Sequence, residues 1–210
     1  GLSWLKAGRL MIGASAIFPY IVSSGLSFAP ASDGGVLAPG MLPFWTALAA
    51  FLILGEKLDQ VRRTGLFIIL VGALMVGLWQ IIFNSDEGVW RGHLLFLIGS
   101  GLFAIYSVIF RQSGLTPLHG LLIGLFWGTL FITPILLLTG RVNFSDVSSF
   151  DIGITIFIQS LIIGILATVL FNYGVRLIGA SEMGAFGALT PILAMLGGIV
   201  FLNESVSGIK

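Results

Sequence analysis

The sequence predicts an all-α polytopic membrane protein, a bundle of seven visible transmembrane helices, and three observations predict it. Of 210 residues, 57% are hydrophobic and only 9% are charged, where an ordinary soluble domain carries roughly 25% charged residues. The uncharged stretches are long, each close to or above the ~20 residues a helix needs to cross a hydrocarbon core about 30 Å thick. They are also continuously apolar rather than alternating, which favours helices over a closed barrel as the way to satisfy every backbone group in lipid.

Taken in order, the runs are residues 10–32, 34–55, 64–85, 92–110, 112–140, 152–175 and 183–203. The first has a polar stripe, Tyr20, Ser23, Ser24 and Ser27, at helical spacing, with Pro19 loosening the backbone beside it. The second holds Pro43 and Trp45 and stops at Gly55. The third is bounded by a charged knot (GEKLDQVRR) and by Asn84-Ser85-Asp86. The fourth carries Ser100 and Tyr106, and the fifth a doubled GxxxG ridge of Gly120, Gly124 and Gly128. The sixth contains Gln159, and the seventh contains Thr190 and Pro191 and ends at Asn203-Glu204. The connections are short, so the runs form one bundle and not a string of domains.

Internal repetition organises these spans. Residues 24–33 (SGLSFAPASD) align without a gap to residues 173–182 (YGVRLIGASE), with Gly, Ala, Ser and a terminal acid coinciding. After a one-residue slip, residues 43–56 (PFWTALAAFLILGE) align to residues 191–204 (PILAMLGGIVFLNE), with proline and glutamate matched. The first copy lies in spans one and two, the second in spans six and seven. An odd offset of five spans makes the copies cross the membrane in opposite directions, as in the inverted repeats of secondary transporters. Completing both copies requires helices before Gly1 and after Lys210 and gives a ten-helix, five-plus-five protein, with residues 1–88 closing one repeat and residues 89–210 belonging to the other.

Basic residues predict the orientation. With the charged knot in the cytoplasm, Lys6, Arg9, Lys57, Arg62, Arg63, Arg111 and Arg176 lie inside and only Arg91, Arg141 and Lys210 outside.

The stretch LGEKLDQVRRTGLFIILVGALMVG, an apolar helix, Leu-Gly-Glu, a short turn and a Gly-rich apolar helix, resembles the end of an EamA-type repeat of the drug/metabolite transporter superfamily. Residues 189–204 resemble a second copy of that signature, with Asn203 at the place of Gly55, and GHLLFLIGSGLFAIYSVIFR resembles the helix that opens the second repeat. The resemblance covers essentially the whole chain, as helices three to nine of ten. It implies a secondary transporter, an exporter or exchanger of small metabolites such as amino acids, with a central path opened alternately to each side. It implies a cell (inner) membrane location and a small-molecule substrate, with no cofactor.

Individual residues have a functional and a plainer reading. Glu56 and Glu204, the motif acids, could pair with a base that changes between states, or accept N–H bonds from the next helix start. Tyr20, Ser24, Trp45, Ser100, Tyr106, Gln159 and Thr190 could line a substrate path, or bond to neighbouring helices. Pro43 and Pro191 could be hinges or static kinks. The glycine ridge could join two protomers in a homodimer or pack inside the bundle.

Other functions are disfavoured. No basic face exists to bind nucleic acid. With no cysteine, no H-E-x-x-H and two histidines near span ends, a metal centre or an intramembrane enzyme lacks its ligands and nucleophile. A seven-span receptor would leave the duplication unfinished. The runs hold no acid at depth, which favours downhill efflux or exchange.

Overall fold

The computed structural model describes residues 10, 17–83, 88–139, 147–193, 196 and 200. Every regular element among them is helical. In chain order these are α1 (Ile17–Gly25), α2 (Ala31–Leu37), α3 (Leu42–Leu54), α4 (Gln60–Phe83), α5 (Val89–Ser113), α6 (Pro117–Leu138), α7 (Ser149–Ile178) and α8 (Ala180–Ala185). Four stretches among the described residues are long and apolar enough to cross a membrane: Ala31–Leu54 (α2 with α3), Val89–Ser113, Pro117–Leu138 and Ser149–Ile178. The chain is an integral, polytopic membrane protein.

The span boundaries follow local chemistry. Gly55 ends α3 with a left-handed backbone (φ 69°), and its N–H reaches the Ala50 and Phe51 carbonyls. An L side chain at that φ is disfavoured, so the Leu-Gly-Glu motif is in part a helix terminator. Thr116 caps α6 by accepting from the His119 N–H, with Pro117 at the first helical position. Ser148 caps α7 in the same way from Asp151.

α5 is the axis of the bundle and packs against α1, α2, α3, α4, α7 and α8. Half of its most apolar stretch is buried within the chain, whereas the corresponding stretch of α7 buries nothing. Small residues let α1 approach closely: Gly92 of α5 lies against Gly25 and Ala29, and Gly99 against Val22.

The second span is not a single helix. It breaks over residues 38–41, a turn between α2 and α3. The second copy breaks at the matching place, where α8 gives way to a 3₁₀ turn, Phe186–Leu189. Pro43 therefore opens a helix in its first turn and does not kink one from within. Both copies also start their short leading helix at the aligned alanine, Ala31 and Ala180. The two breaks touch, since a methyl group on Gly187 would come within 2.9 Å of the Pro39 carbonyl oxygen. One turn earlier, Gly184 packs on Thr46, so α8 advances along α3 as α3 recedes. The two segments run antiparallel.

Candidate functional site

A cavity of about 610 Å³ lies between α1, α5, α6 and the middle of α7, within the ~300–1,000 Å³ typical of small-molecule sites. Its walls are mostly apolar: Phe18, Val22, Phe103, Leu121, Leu125 and Ile163. The polar residues on its lining are Ser23, Tyr106, Gln159, Ser160 and Thr168.

The α7 wall is built by an unusual backbone. Phe157–Ala167 is π-helical, and the Thr168 hydroxyl donates to the Ile163 carbonyl five residues back. Wider i→i+5 turns are rare and concentrate at functional sites. Here they bring Gln159, Ser160, Ile163, Gly164 and Thr168 to one face of the helix, against the cavity.

Tyr106 is fully buried, and its hydroxyl donates to Asn172 Oδ1 at 3.0 Å. Asn172 is fully buried too, and its Nδ2 donates to the Pro117 carbonyl at 3.2 Å. One amide thus ties α7 to α5 and to the start of α6. Gly120 makes room for it, packed on Phe110 and near Asn172, so this end of the glycine ridge faces into the bundle.

The remaining expected path residues sit as follows. Ser100 is buried one turn from the cavity along α5 and donates at 2.6 Å to the Ala38 carbonyl, a group freed by the break. Trp45 lies over Gly101, and its indole Nε1 is buried with no hydrogen-bond partner among the described residues. Tyr20 and Ser24 are half-buried outside the cavity lining, where their neighbour Ser23 stands instead. Thr190 is exposed and Pro191 half-buried, just past the 3₁₀ turn. Glu204 lies outside the described residues.

Charged contacts flank the cavity along α5. At the C-terminal end, Arg111 Nη1 donates to Glu56 Oε1 at 2.5 Å, joining the motif acid to α5. Beside it, Arg62 pairs with Glu182, and Arg111 also approaches Gly179. Burial raises the Glu182 carboxyl, but the Arg62 hydrogen bond and the charges of Arg62 and Arg111 outweigh it, leaving the carboxyl below its usual range. All four side chains of these two pairs are roughly one-third exposed.

At the N-terminal end of α5, His93 Nε2 lies 2.8 Å from Asp33 Oδ2, both side chains buried. Asp33 was expected in a connection, and His93 near a span end with no carboxylate at hand. Instead Asp33 lies inside α2, and 60 residues of sequence close into one buried contact. The Ser32 hydroxyl stands 3.4 Å from the other carboxylate oxygen. Asp33 and Glu182 are the aligned acids of the repeat. Each meets a base, and the two pairs sit at opposite ends of α5, with the cavity residues Phe103 and Tyr106 between.

Asn172 and the Asp33–His93 pair are absent from the sequence-level set of sites. Asn172 had a signal, as the sole asparagine of its apolar run. The pair had the repeat alignment, which marked Asp33 as the counterpart of Glu182.

A model of the EamA-like transporter family matches residues 90–210. Among curated proteins the chain is similar to an uncharacterized transporter, YyaM, of Bacillus subtilis (strain 168), at 25% identity over 199 residues. That match covers 89% of this chain and 63% of the relative, so the chain spans less than two thirds of the relative's length. No solved structure matches significantly.

Proposed function

This chain belongs to the EamA-like transporter family, and from that premise we propose that it is a secondary transporter, an exporter or exchanger of small metabolites such as amino acids, working by alternating access between two inverted repeats. The observation that carries the reading is the position of the cavity. It lies along α5 between two sets of charged contacts, each of which joins one repeat to the other. Opening one set at a time would expose the cavity to one side at a time. Discontinuous helices at the repeat interface are the usual place for transporter sites, and the paired breaks at residues 38–41 and 186–189 lie at that interface, beside Ser100 and one turn from the cavity.

Within the cavity, Tyr106, Gln159, Ser160, Ser23 and Thr168 would orient polar groups of the substrate, while Phe18, Phe103, Leu121 and Leu125 enclose its apolar part. Trp45, Ser100, Tyr20, Ser24 and Thr190 are assigned to the path and its supporting wall, and Pro43 and Pro191 to the hinges at the breaks. Glu56 acts with Arg111 as a closure on the cytoplasmic side of the cell membrane, the side given by the basic residues.

Counterflow with the full-length protein in proteoliposomes tests this reading. Preloading with members of an amino-acid and metabolite panel is expected to drive uptake of the same labelled compound. Sound, monodisperse protein that shows no counterflow across the panel would overturn it. Orientation is read separately, in the full-length protein with any outlying cysteine removed, by placing a single cysteine at Lys57 or at Ser205. An impermeant thiol reagent should reach Ser205→Cys from outside and Lys57→Cys only after permeabilisation.

A further inference from the structure

We propose that Glu182 is a second seat for Arg111: as the cytoplasmic closure opens, the Arg111 guanidinium passes from Glu56 to Glu182, so the closure exchanges partners and strands no charge. The proposal rests on the alternating-access reading and gives Glu182 and Gly179 a positioning role within that cycle.

The free acceptor is the first part of the argument. Arg62 donates to Glu182 Oε1. The other carboxylate oxygen, Oε2, is buried and accepts no hydrogen bond of ordinary geometry among the described residues. A buried acceptor without a donor is unfavourable, and a small movement of a neighbouring donor would satisfy it.

That donor stands beside it. A methyl group on Gly179 would come within 2.6 Å of Glu182 Oε2 and within 3.2 Å of Arg111 Cζ and Nη1. Both groups therefore border one small gap, which the missing side chain of Gly179 leaves open. The backbone there has a φ of 106°, so glycine suits the turn between α7 and α8 as well as the gap. The Arg111 charge is felt across it, since it helps to hold the Glu182 carboxyl below its usual range.

Guanidinium chemistry permits the exchange. Arginine carries five N–H donors in a rigid fork, and Nη1 serves Glu56 at 2.5 Å. The contact with Oε2 forms while the contact with Glu56 still holds, so the cation is paired at every stage. Glu56, once released, lies about one-third exposed just beyond Gly55, where water solvates it at little cost. Arg62 keeps Oε1 throughout. The two arrangements hold the same charges and differ in where α5 is tied, to the joint after α3 or to the start of α8. Equal charge keeps them close in energy, as a two-state closure requires. Neighbouring charges do not compete for the seat: Asp59 accepts from the Arg62 backbone N–H, and Arg176 donates to the Gly114 carbonyl.

The sign of two mutational effects tests the exchange without any substrate. The full-length protein, with other cysteines removed, carries a reporter at cavity-lining Ser23 (Ser23→Cys). Labelling by an impermeant thiol reagent is measured in inverted vesicles for this parent and for E56Q, E182Q and R62Q. If both acids merely fasten the bundle, losing either one loosens it and raises labelling. Exchange gives opposite signs. E56Q leaves Arg111 only its second seat and should raise labelling about threefold, an effect within reach of one exposed ion pair. E182Q removes the second seat and should lower labelling by about the same factor. R62Q breaks the Arg62–Glu182 pair but keeps the seat, so it should not lower labelling. Labelling that rises or stays at the parent level in E182Q overturns the exchange, as does an R62Q loss equal to that of E182Q or an E56Q without a rise. Counterflow separates this failure from that of the transport reading. Opposite signs without counterflow keep the exchange and remove the transporter, whereas counterflow with equal signs does the reverse.

Discussion

The two ends of α5 perform the same joining task with opposite physics. At Arg111 and Glu56, with Arg62 and Glu182 alongside, four charges, each about one-third exposed, meet at the polar margin, where water can replace any partner that leaves. At His93 and Asp33 the contact is buried. A surface-like ion pair contributes little to stability and opens easily; a buried one costs heavily to leave half-made. The two aligned acids, Asp33 and Glu182, thus meet a base in two different environments, one buried and one open to water.

Removing one partner from the buried end should give the largest effect. His93→Ala is expected to lower stability by about 3 kcal/mol, because it removes a buried hydrogen bond to a carboxylate, read as a fall in thermal unfolding midpoint of the detergent-purified protein. A drop no larger than that of Arg62→Ala would erase the contrast between the ends. Next comes the middle of the helix. Asn172→Ala leaves the Tyr106 hydroxyl and the Pro117 carbonyl without their partner and should cost about 2 kcal/mol, with Tyr106→Phe costing less. Chemical denaturation monitored by tryptophan fluorescence would rank the two.

Gly55→Ala tests the backbone beneath the polar end. Forcing an L residue to φ 69° should cost about 1 kcal/mol. The smallest effect is assigned to the exposed pair: Arg62→Ala should cost under about 1 kcal/mol and less still in high salt. Its pH dependence has a definite sign. The folded Glu182 carboxyl lies below its ordinary value, so its contribution is complete above the unfolded value of about 4.3 and is lost as pH falls through the lower folded one. The stability gap between parent and E182Q should therefore be full at pH 7 and close below about pH 4.

The span pattern was legible in the sequence because charge is nearly absent from lipid-facing helices, and every long helix found here sits within a few residues of an uncharged run. The joint at Gly55 was legible for a related reason, since glycine is the residue that takes its positive φ readily. The breaks were only half visible. Pro43 and Pro191 marked them, but the turns lie in the residues just before, where no breaker pattern repeats between the copies. The π-helical wall had no signal at all, because residues 157–167 read as an ordinary apolar run. Asp33 and His93 each looked peripheral by their place in the chain. What buries them is the close approach of α1 and α2 to α5 through Gly25, Gly34 and Gly92, a packing fact that linear spacing does not contain.

The contact between Pro39 and Gly187 also has a consequence for biogenesis. These residues are about 150 positions apart, and ribosomes add roughly 5–20 residues per second. The first break therefore waits on the order of 10–30 s in the bilayer before its counterpart is made. During that interval the loosened turn at residues 38–41 has no partner from its own chain on that side. The early helices must be sheltered by the insertion machinery or by the α5 face that arrives first, with the Ser100 hydroxyl on the Ala38 carbonyl as the earliest lock. Pausing translation between residues 113 and 180 should thus lengthen the life of a protease-sensitive intermediate cut near residue 40.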